Sequence, residues 1–542
     1  MPNLICRRLS FAYDGAERPV FTDLDLIIDT GWRAALVGGN GRGKTTLLKL
    51  LAGELLPDAG EVERGATCLL FEESTVEPDD TAWAVAKDMA GPFRAWEVEI
   101  DALLARGDEP ALARYGGIES EYRARGGYEI DARLARELDE LAVPERLRQR
   151  PVGTLSGGER TRCRLAGLFA AEGAFPLIDE PTNHLDLSGR RLVAGYLAAK
   201  PGFLLVSHDR SLLDVAAEHV IALNPDTVET HRLRYSDWRR AMQGRLAEQV
   251  RANALLRKDI RRLETAADAR RAGAAAREAD KTAGGRRRQP SERGVDRGFI
   301  GARAARQMKR ALAAERRAAR AADERRKTLT DLESVYELKL ATPPDPVGST
   351  VPLVRATNVT VARGSPLFAP LSFRVDVGER LAVLGANGAG KSSLLDAIAG
   401  ELPTSSGELS RPAQVRISRV CQQPRWRTGH LRTHLEAAGL DEGRFRQIMA
   451  ALGVRGAVLD QRLEQLSQGQ LKKVELARSV IEPAHVLLWD EPLNWIDVDA
   501  RERIEEALLA ASVSMIFVEH DARFVERLAT RRIVLEVSAA RP

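Results

Sequence analysis

Alternating apolar and polar residues, Leu4-Ile5-Cys6-Arg7-Arg8-Leu9-Ser10-Phe11 near the start and Leu353-Val354-Arg355-Ala356-Thr357-Asn358-Val359 far downstream, predict strands that open two similar halves. Each half continues with a second strand pattern, Trp32-Arg33-Ala34-Ala35-Leu36-Val37 or Arg380-Leu381-Ala382-Val383-Leu384, that runs directly into a glycine-rich loop. The residues after the loop, Leu47-Leu48-Lys49-Leu50-Leu51 and Leu394-Leu395-Asp396-Ala397-Ile398, have the apolar density of a buried helix. Strand, glycine loop and helix form the setting that a phosphate-binding loop requires.

Between Trp238 and Thr342 the pattern changes. Ala, Arg, Glu and Leu dominate the runs 241–281 and 300–340, and neither contains Pro. Leu246, Val250, Ile260 and Leu263 on one run and Met308, Leu312, Leu329, Leu332 and Val335 on the other recur at three- and four-residue spacing, in an interrupted stripe that two antiparallel helices would bury. At 1.5 Å per residue, helices of about 40 residues would reach on the order of 60 Å. Gly284, Gly285, Pro290 and Gly294 place the turn, with a tip at 282–297, and Pro343-Pro344-Asp345-Pro346 marks the linker beyond. The organisation read from the chain is therefore α/β: a nucleotide-binding domain over 1–238, a helical-hairpin linker over 239–345, and a second nucleotide-binding domain over 346–542.

The net charge of +4 hides an asymmetry. Residues 239–330 hold 27 Arg and Lys against 11 Asp and Glu, an excess of 16, so the rest of the chain sums to −12. No apolar run approaches the ~18 residues needed to cross a bilayer. The first residues lack a signal-peptide core, which predicts a cytoplasmic protein. Cys6, Cys68, Cys163 and Cys421 are isolated and are expected to be reduced packing residues.

Chemistry enters through two ordered motif sets. The loops are Gly38-Gly39-Asn40-Gly41-Arg42-Gly43-Lys44-Thr45-Thr46 and Gly385-Ala386-Asn387-Gly388-Ala389-Gly390-Lys391-Ser392-Ser393, whose backbone N–H groups would cradle phosphates where a Cβ would intrude. Lys44 and Lys391 suit the β- and γ-phosphates of ATP, and Thr45 and Ser392 suit Mg²⁺. Asp179 and Asp490 end apolar strands and would hold the metal's water shell. Glu180 and Glu491 follow and would orient or activate the attacking water.

Leu155-Ser156-Gly157-Gly158-Glu159 and Leu466-Ser467-Gln468-Gly469-Gln470 resemble the signatures of the ABC (ATP-binding cassette) ATPases. In that superfamily the signature of one half closes over nucleotide held by the other. The resemblance implies one composite site joining Lys44, Thr45, Asp179, Glu180 and His208 to Ser467 and Gly469. A second joins Lys391, Ser392, Asp490, Glu491 and His520 to Ser156 and Gly158. His208 and His520 fit the γ-phosphate switch. Gln422 fits the metal-contacting glutamine, but the first half carries Glu72 there. Tyr13 would stack on adenine, whereas Val361-Ala362-Arg363 offers no aromatic. These differences imply unequal sites.

Glu180-Pro181-Thr182-Asn183-His184-Leu185-Asp186, tandem cassettes, a long basic linker and roughly 35 extra residues within about 83–128 of the first cassette together resemble the ABC-F family. The extra residues read as a small helical arm, or as a passive elaboration of the helical subdomain. Family members bind the ribosome at the tRNA exit site with the hairpin towards the peptidyl-transferase centre, and a basic hairpin suits RNA phosphates. Asp296-Arg297-Gly298-Phe299-Ile300-Gly301 and Glu491-Pro492-Leu493-Asn494 resemble the antibiotic-resistance members active against lincosamides, streptogramin A and pleuromutilins. The resemblance implies a monomer with paired cassettes, no integral membrane partner, and contacts to rRNA and P-site tRNA, for which Arg286, Arg287, Arg288 and Phe299 are the candidates. Alternatives are a housekeeping factor that rescues stalled ribosomes, the ATPase subunit of a transporter with separate permeases, and a DNA-repair ATPase.

Overall fold

The structure is a computed structural model that describes residues 2–16, 19–72, 77–183, 185–224, 227–283, 313, 338–341 and 351–537. The chain divides into two compact units, Met1–Trp238 with Tyr336–Pro542, and Arg239–Val335.

The first unit contains both cassettes, each built on a parallel sheet and an antiparallel one. In the first cassette the strands run in the order Thr67–Phe71, Ala174–Asp179, Phe203–Val206, Arg33–Val37, His219–Leu223 and Val228–His231, the last antiparallel. In the second the order is Ile417–Val420, Val486–Asp490, Ser514–Val518, Arg380–Leu384 and Arg531–Val534, all parallel. Phe203–Val206 and Ser514–Val518 are buried at every residue, as expected of strands covered on both faces. The antiparallel sheets instead keep the alternation read from the sequence. Along Asn3–Phe11 it slips where Arg8 adopts φ 45°, and the partner register shifts there. Asn358 repeats this bulge at φ 49° in Val354–Thr360.

The phosphate loops join Arg33–Val37 to the helix Lys44–Ala52 and Arg380–Leu384 to the helix Lys391–Ala399. Gly43 and Gly390 cap these helices at φ 84° and 92°, where an added Cβ would lie 2.4 Å from Val20 and 2.9 Å from Leu367. Only glycine satisfies both the left-handed turn and the close approach.

The first cassette's helical part contains Ala82–Ala90, Phe93–Arg106, Glu109–Ala124 and Ile130–Glu140, against Leu431–Ala438 and Glu442–Ala451 in the second. The pair Phe93–Arg106 and Glu109–Ala124 accounts for the extra length. Asp108 starts its second helix by accepting the Ala111 N–H at 2.8 Å. Buried Lys87 holds the pair through Glu97 at 2.7 Å and, at 2.9 Å, also binds Asp131 on Ile130–Glu140.

The helix Tyr235–Ala283 runs 49 residues. Ile260 is buried, whereas Leu246 and Val250 stay exposed. Apart from residues 282–283, 313 and 338–340, the tip and second arm expected for the hairpin, with Arg286, Arg287, Arg288 and Phe299, lie outside the described residues, as do the 343–348 linker and His184. Among the described residues no helix is long and apolar enough to cross a membrane, and the four cysteines are free thiols.

Candidate nucleotide sites on a shared face

In the first cassette the loop ends at Lys44, whose Nζ donates to the Gly38 and Gly39 carbonyls at 2.9 and 3.1 Å. Thr45 Oγ1 donates to Asp179 Oδ2 at 2.6 Å, so the two expected metal-contacting groups meet. Glu180, at φ 48°, leaves the strand Ala174–Asp179 in a strained turn that aims its carboxylate at the switch loop. There Oε2 accepts the His208 N–H at 3.3 Å, and His208 Nε2 lies 3.6 Å from Oε1. Burial, reinforced by Asp179 and only partly opposed by Arg501, pushes the Glu180 carboxyl up to about 8. Burial and the charges of Lys44 and Arg501 hold His208 well below its ordinary value, hence neutral.

The second cassette repeats the frame with different support. Lys391 Nζ donates to the Gly385 and Ala386 carbonyls at 2.8 and 3.0 Å, and Ser392 hydrogen-bonds Asp490. Glu491 has the same left-handed turn, φ 45°, but its Oε2 accepts Asn494 Nδ2 at 2.6 Å and Gln422 Nε2 at 3.4 Å, with His520 Nε2 3.5 Å from Oε1. Burial alone would raise this carboxyl; His520, Asn494 and Lys391 outweigh it and hold it down to about 2. Gln422 is thus beside Glu491, while Glu72 in the first cassette is held by Lys49 at 2.9 Å. The adenine positions also differ. Tyr13 lies two residues after Phe11, whose carbonyl accepts from Val20, and Arg363 lies two after Val361, whose carbonyl accepts from Leu367. Arg363 therefore stands where Tyr13 does. Tyr13 hydroxyl is 3.0 Å from Thr46 Oγ1, and Arg363 Nη2 is 3.7 Å from Asp396.

The signatures open helices Gly157–Ala170 and Gln468–Ile481 through capping boxes, in which Ser156 and Ser467 accept the Glu159 and Gln470 N–H groups at 3.3 Å. A Cβ on Gly469 would lie 2.7 Å from the Trp495 carbonyl and 3.5 Å from Asn40 Nδ2, and Asn40 itself donates to Trp495 O at 3.5 Å. The second signature is therefore placed against the first phosphate loop. Across the other composite site, Asp186 accepts the Asn387 backbone N–H and its charge acts on Lys391, while Asp497 acts on Lys44. These two aspartates were missed as site residues in the sequence; their equal placement after the Glu-Pro motifs was the available signal.

The residues fit a magnesium nucleotide at both sites. Each loop presents a lysine, a hydroxyl and an aspartate together, and Glu180 Oε1 and Asp490 Oδ1 are buried without a hydrogen bond. Such acceptors call for a donor or a cation.

A family model described as ABC transporter matches residues 21–183 and 368–494. Tylosin resistance ATP-binding protein TlrC of Streptomyces fradiae is 33% identical over 546 residues, covering 97% of this chain and 96% of that protein. Energy-dependent translational throttle protein EttA of Mycobacterium tuberculosis is 28% identical over 547 residues, covering 96% and 89%. Among solved structures, RNase-L Inhibitor superposes with a TM-score of 0.53 at 18% identity, covering 98% of this chain and 88% of that one, a likeness of fold.

Proposed function

We propose a ribosome-protection role for this chain, which belongs to the ABC superfamily and, within it, to the ABC-F family, and is an ATPase with two tandem cassettes. In this reading ATP binding closes the cassettes, and the closed form binds the bacterial ribosome at the tRNA exit site. The linker hairpin then perturbs the binding of drugs at the peptidyl-transferase centre, and hydrolysis permits release. The protein acts in the cytoplasm as a monomer, with residues 1–238 and 346–542 as cassettes and 239–345 as the linker. Arg286, Arg287, Arg288 and Phe299 contact rRNA or P-site tRNA.

Charge placement carries the proposal: an excess of 16 positive charges lies in residues 239–330 while the rest of the chain sums to −12, so it can neutralise RNA phosphates without burdening the nucleotide sites. Resistance in one relative's name and a translational role in another's support the same target. At each site Lys44 or Lys391 would bind the terminal phosphates, Glu180 or Glu491 would orient water, and His208 or His520 would sense the γ-phosphate. Thr45, Asp179, Ser392, Asp490 and Gln422 would hold Mg²⁺, which supplies charge neutralisation at the phosphates.

Similarity to a translational throttle protein favours a second reading, a housekeeping factor that rescues stalled ribosomes. Susceptibility of a host expressing the protein to tylosin, lincosamides and pleuromutilins separates the two. Protection by the unsubstituted chain, abolished by Lys44→Ala with Lys391→Ala, is the expected result; unchanged susceptibility would favour the housekeeping role.

A further inference from the structure

Among the described residues, the hydrogen bonds of two matched arginines at the cassette face are not reciprocal. Arg190 follows Asp186 by four residues and Arg501 follows Asp497 by four. Each donates Nε to the carbonyl before its aspartate, Leu185 at 3.1 Å and Ile496 at 2.8 Å, and each sets Nη1 on its own cassette's switch aspartate, Asp209 at 3.4 Å and Asp521 at 3.3 Å. Arg501 goes further. Its Nη1 also donates across the face to the His208 carbonyl at 2.9 Å, while Nη2 is anchored on the Leu493 carbonyl at 2.9 Å.

The same switch loop makes a second crossing two residues later, in the opposite direction. Arg210, 1% exposed, crosses from the first cassette into a nest of Glu502 at 4.0 Å, Asp521 at 3.4 Å and a direct bond to Glu505. In the second cassette the residue after His520-Asp521 is Ala522, which has no charge to return. A charge buried this fully is tolerated only when paired, so the nest holds the first switch loop in one register against the second cassette.

We infer that Arg501 is a positioning residue for the first nucleotide site, supplied by the second cassette, whereas among the described residues Arg190 makes no equivalent hydrogen bond to the second switch loop. The path from Arg501 to the reacting groups is short. It fixes the carbonyl of His208, the peptide N–H of the same residue bonds Glu180, and the imidazole lies beside that carboxylate. Its positive charge opposes the upward push of burial on Glu180. One cassette thereby orients the switch of the other through the His208 peptide. The inference rests on the assignment of Glu180 and Glu491 as the water-orienting groups of the two sites.

Single-turnover ATP hydrolysis by the full chain tests it, with the second site silenced by Glu491→Gln or the first by Glu180→Gln. Arg501→Lys, which keeps the charge but loses the fork, should slow the first site about tenfold, and Arg501→Leu about a hundredfold, with little change in the ATP concentration for half-saturation. The loss at the second site should be at least several-fold smaller. Equal losses in both backgrounds, or weaker ATP binding with an unchanged rate, would overturn the inference; should Arg501→Leu prevent folding, the lysine variant still decides. If protein with Arg501 intact hydrolyses ATP in neither background, the assignment of the sites fails and the inference with it.

Discussion

Proton occupancy at Glu180 should give the two sites different pH profiles. The groups facing this carboxylate are Asp179 on its own strand, Lys44 on the phosphate loop, His208 on the switch loop and Arg501 from the second cassette. Burial and Asp179 prevail, leaving the carboxyl at about 8. A carboxylate that orients water must be ionised, and a raised value means that the active form is gained as pH rises. One pH unit below the midpoint about one group in eleven is ionised, and one unit above about ten in eleven, so the first-site rate should climb about tenfold between pH 7 and pH 9. Glu491, held down to about 2, is ionised throughout, and the second-site rate should be flat over that range. Single-turnover rates in Glu491→Gln and Glu180→Gln proteins provide the two profiles. Parallel profiles, or a first-site rate that falls as pH rises, would refute the reasoning.

Three further outcomes follow from particular contacts. Gly469→Ala places a Cβ 2.7 Å from the Trp495 carbonyl and should displace the loop that meets Asn40, slowing first-site hydrolysis more than tenfold while leaving thermal unfolding within a few degrees. Tyr13→Ala should weaken first-site ATP binding about five- to tenfold, and Tyr13→Phe should restore it, as measured by calorimetry in a Lys391→Ala background. Replacing Arg286, Arg287 and Arg288 with Ser should lower the slope of log ribosome affinity against log salt by about 2 to 3, because each lost phosphate contact removes about 0.7 to 0.9.

Much of the cassette fold was legible because its signals are local. The apolar run Leu36-Val37, the glycines and Lys44 lie within a few residues, and their backbone requirements leave one arrangement. The left-handed turns at Glu180 and Glu491 could not be read, since no local residue demands a positive φ there; burial of the carboxylates beside the switch loops imposes them. The unequal surroundings of the two carboxylates were half legible. Glu72 in place of glutamine was visible, but not its capture by Lys49, which depends on the helix Lys44–Ala52 turning that lysine towards it. The cross-cassette work of Arg501, Arg210, Asp186 and Asp497 was hidden because it joins residues that lie in different halves of the chain, 293 and 295 positions apart for the two arginines. One trace was present: Arg follows Ser207-His208-Asp209, whereas Ala follows Glu519-His520-Asp521. For Arg363 the bulge register, rather than residue type, reveals the equivalence with Tyr13.

Under the proposed function, closure of the two ATP sites commits the basic linker to the ribosome. Co-sedimentation of the Glu180→Gln, Glu491→Gln double variant with bacterial ribosomes tests it most directly, at moderate salt, with ATP against ADP. Near-stoichiometric pelleting with ribosomes in ATP and little in ADP is the expected result. A double variant that binds ATP yet stays in the supernatant in both would contradict it.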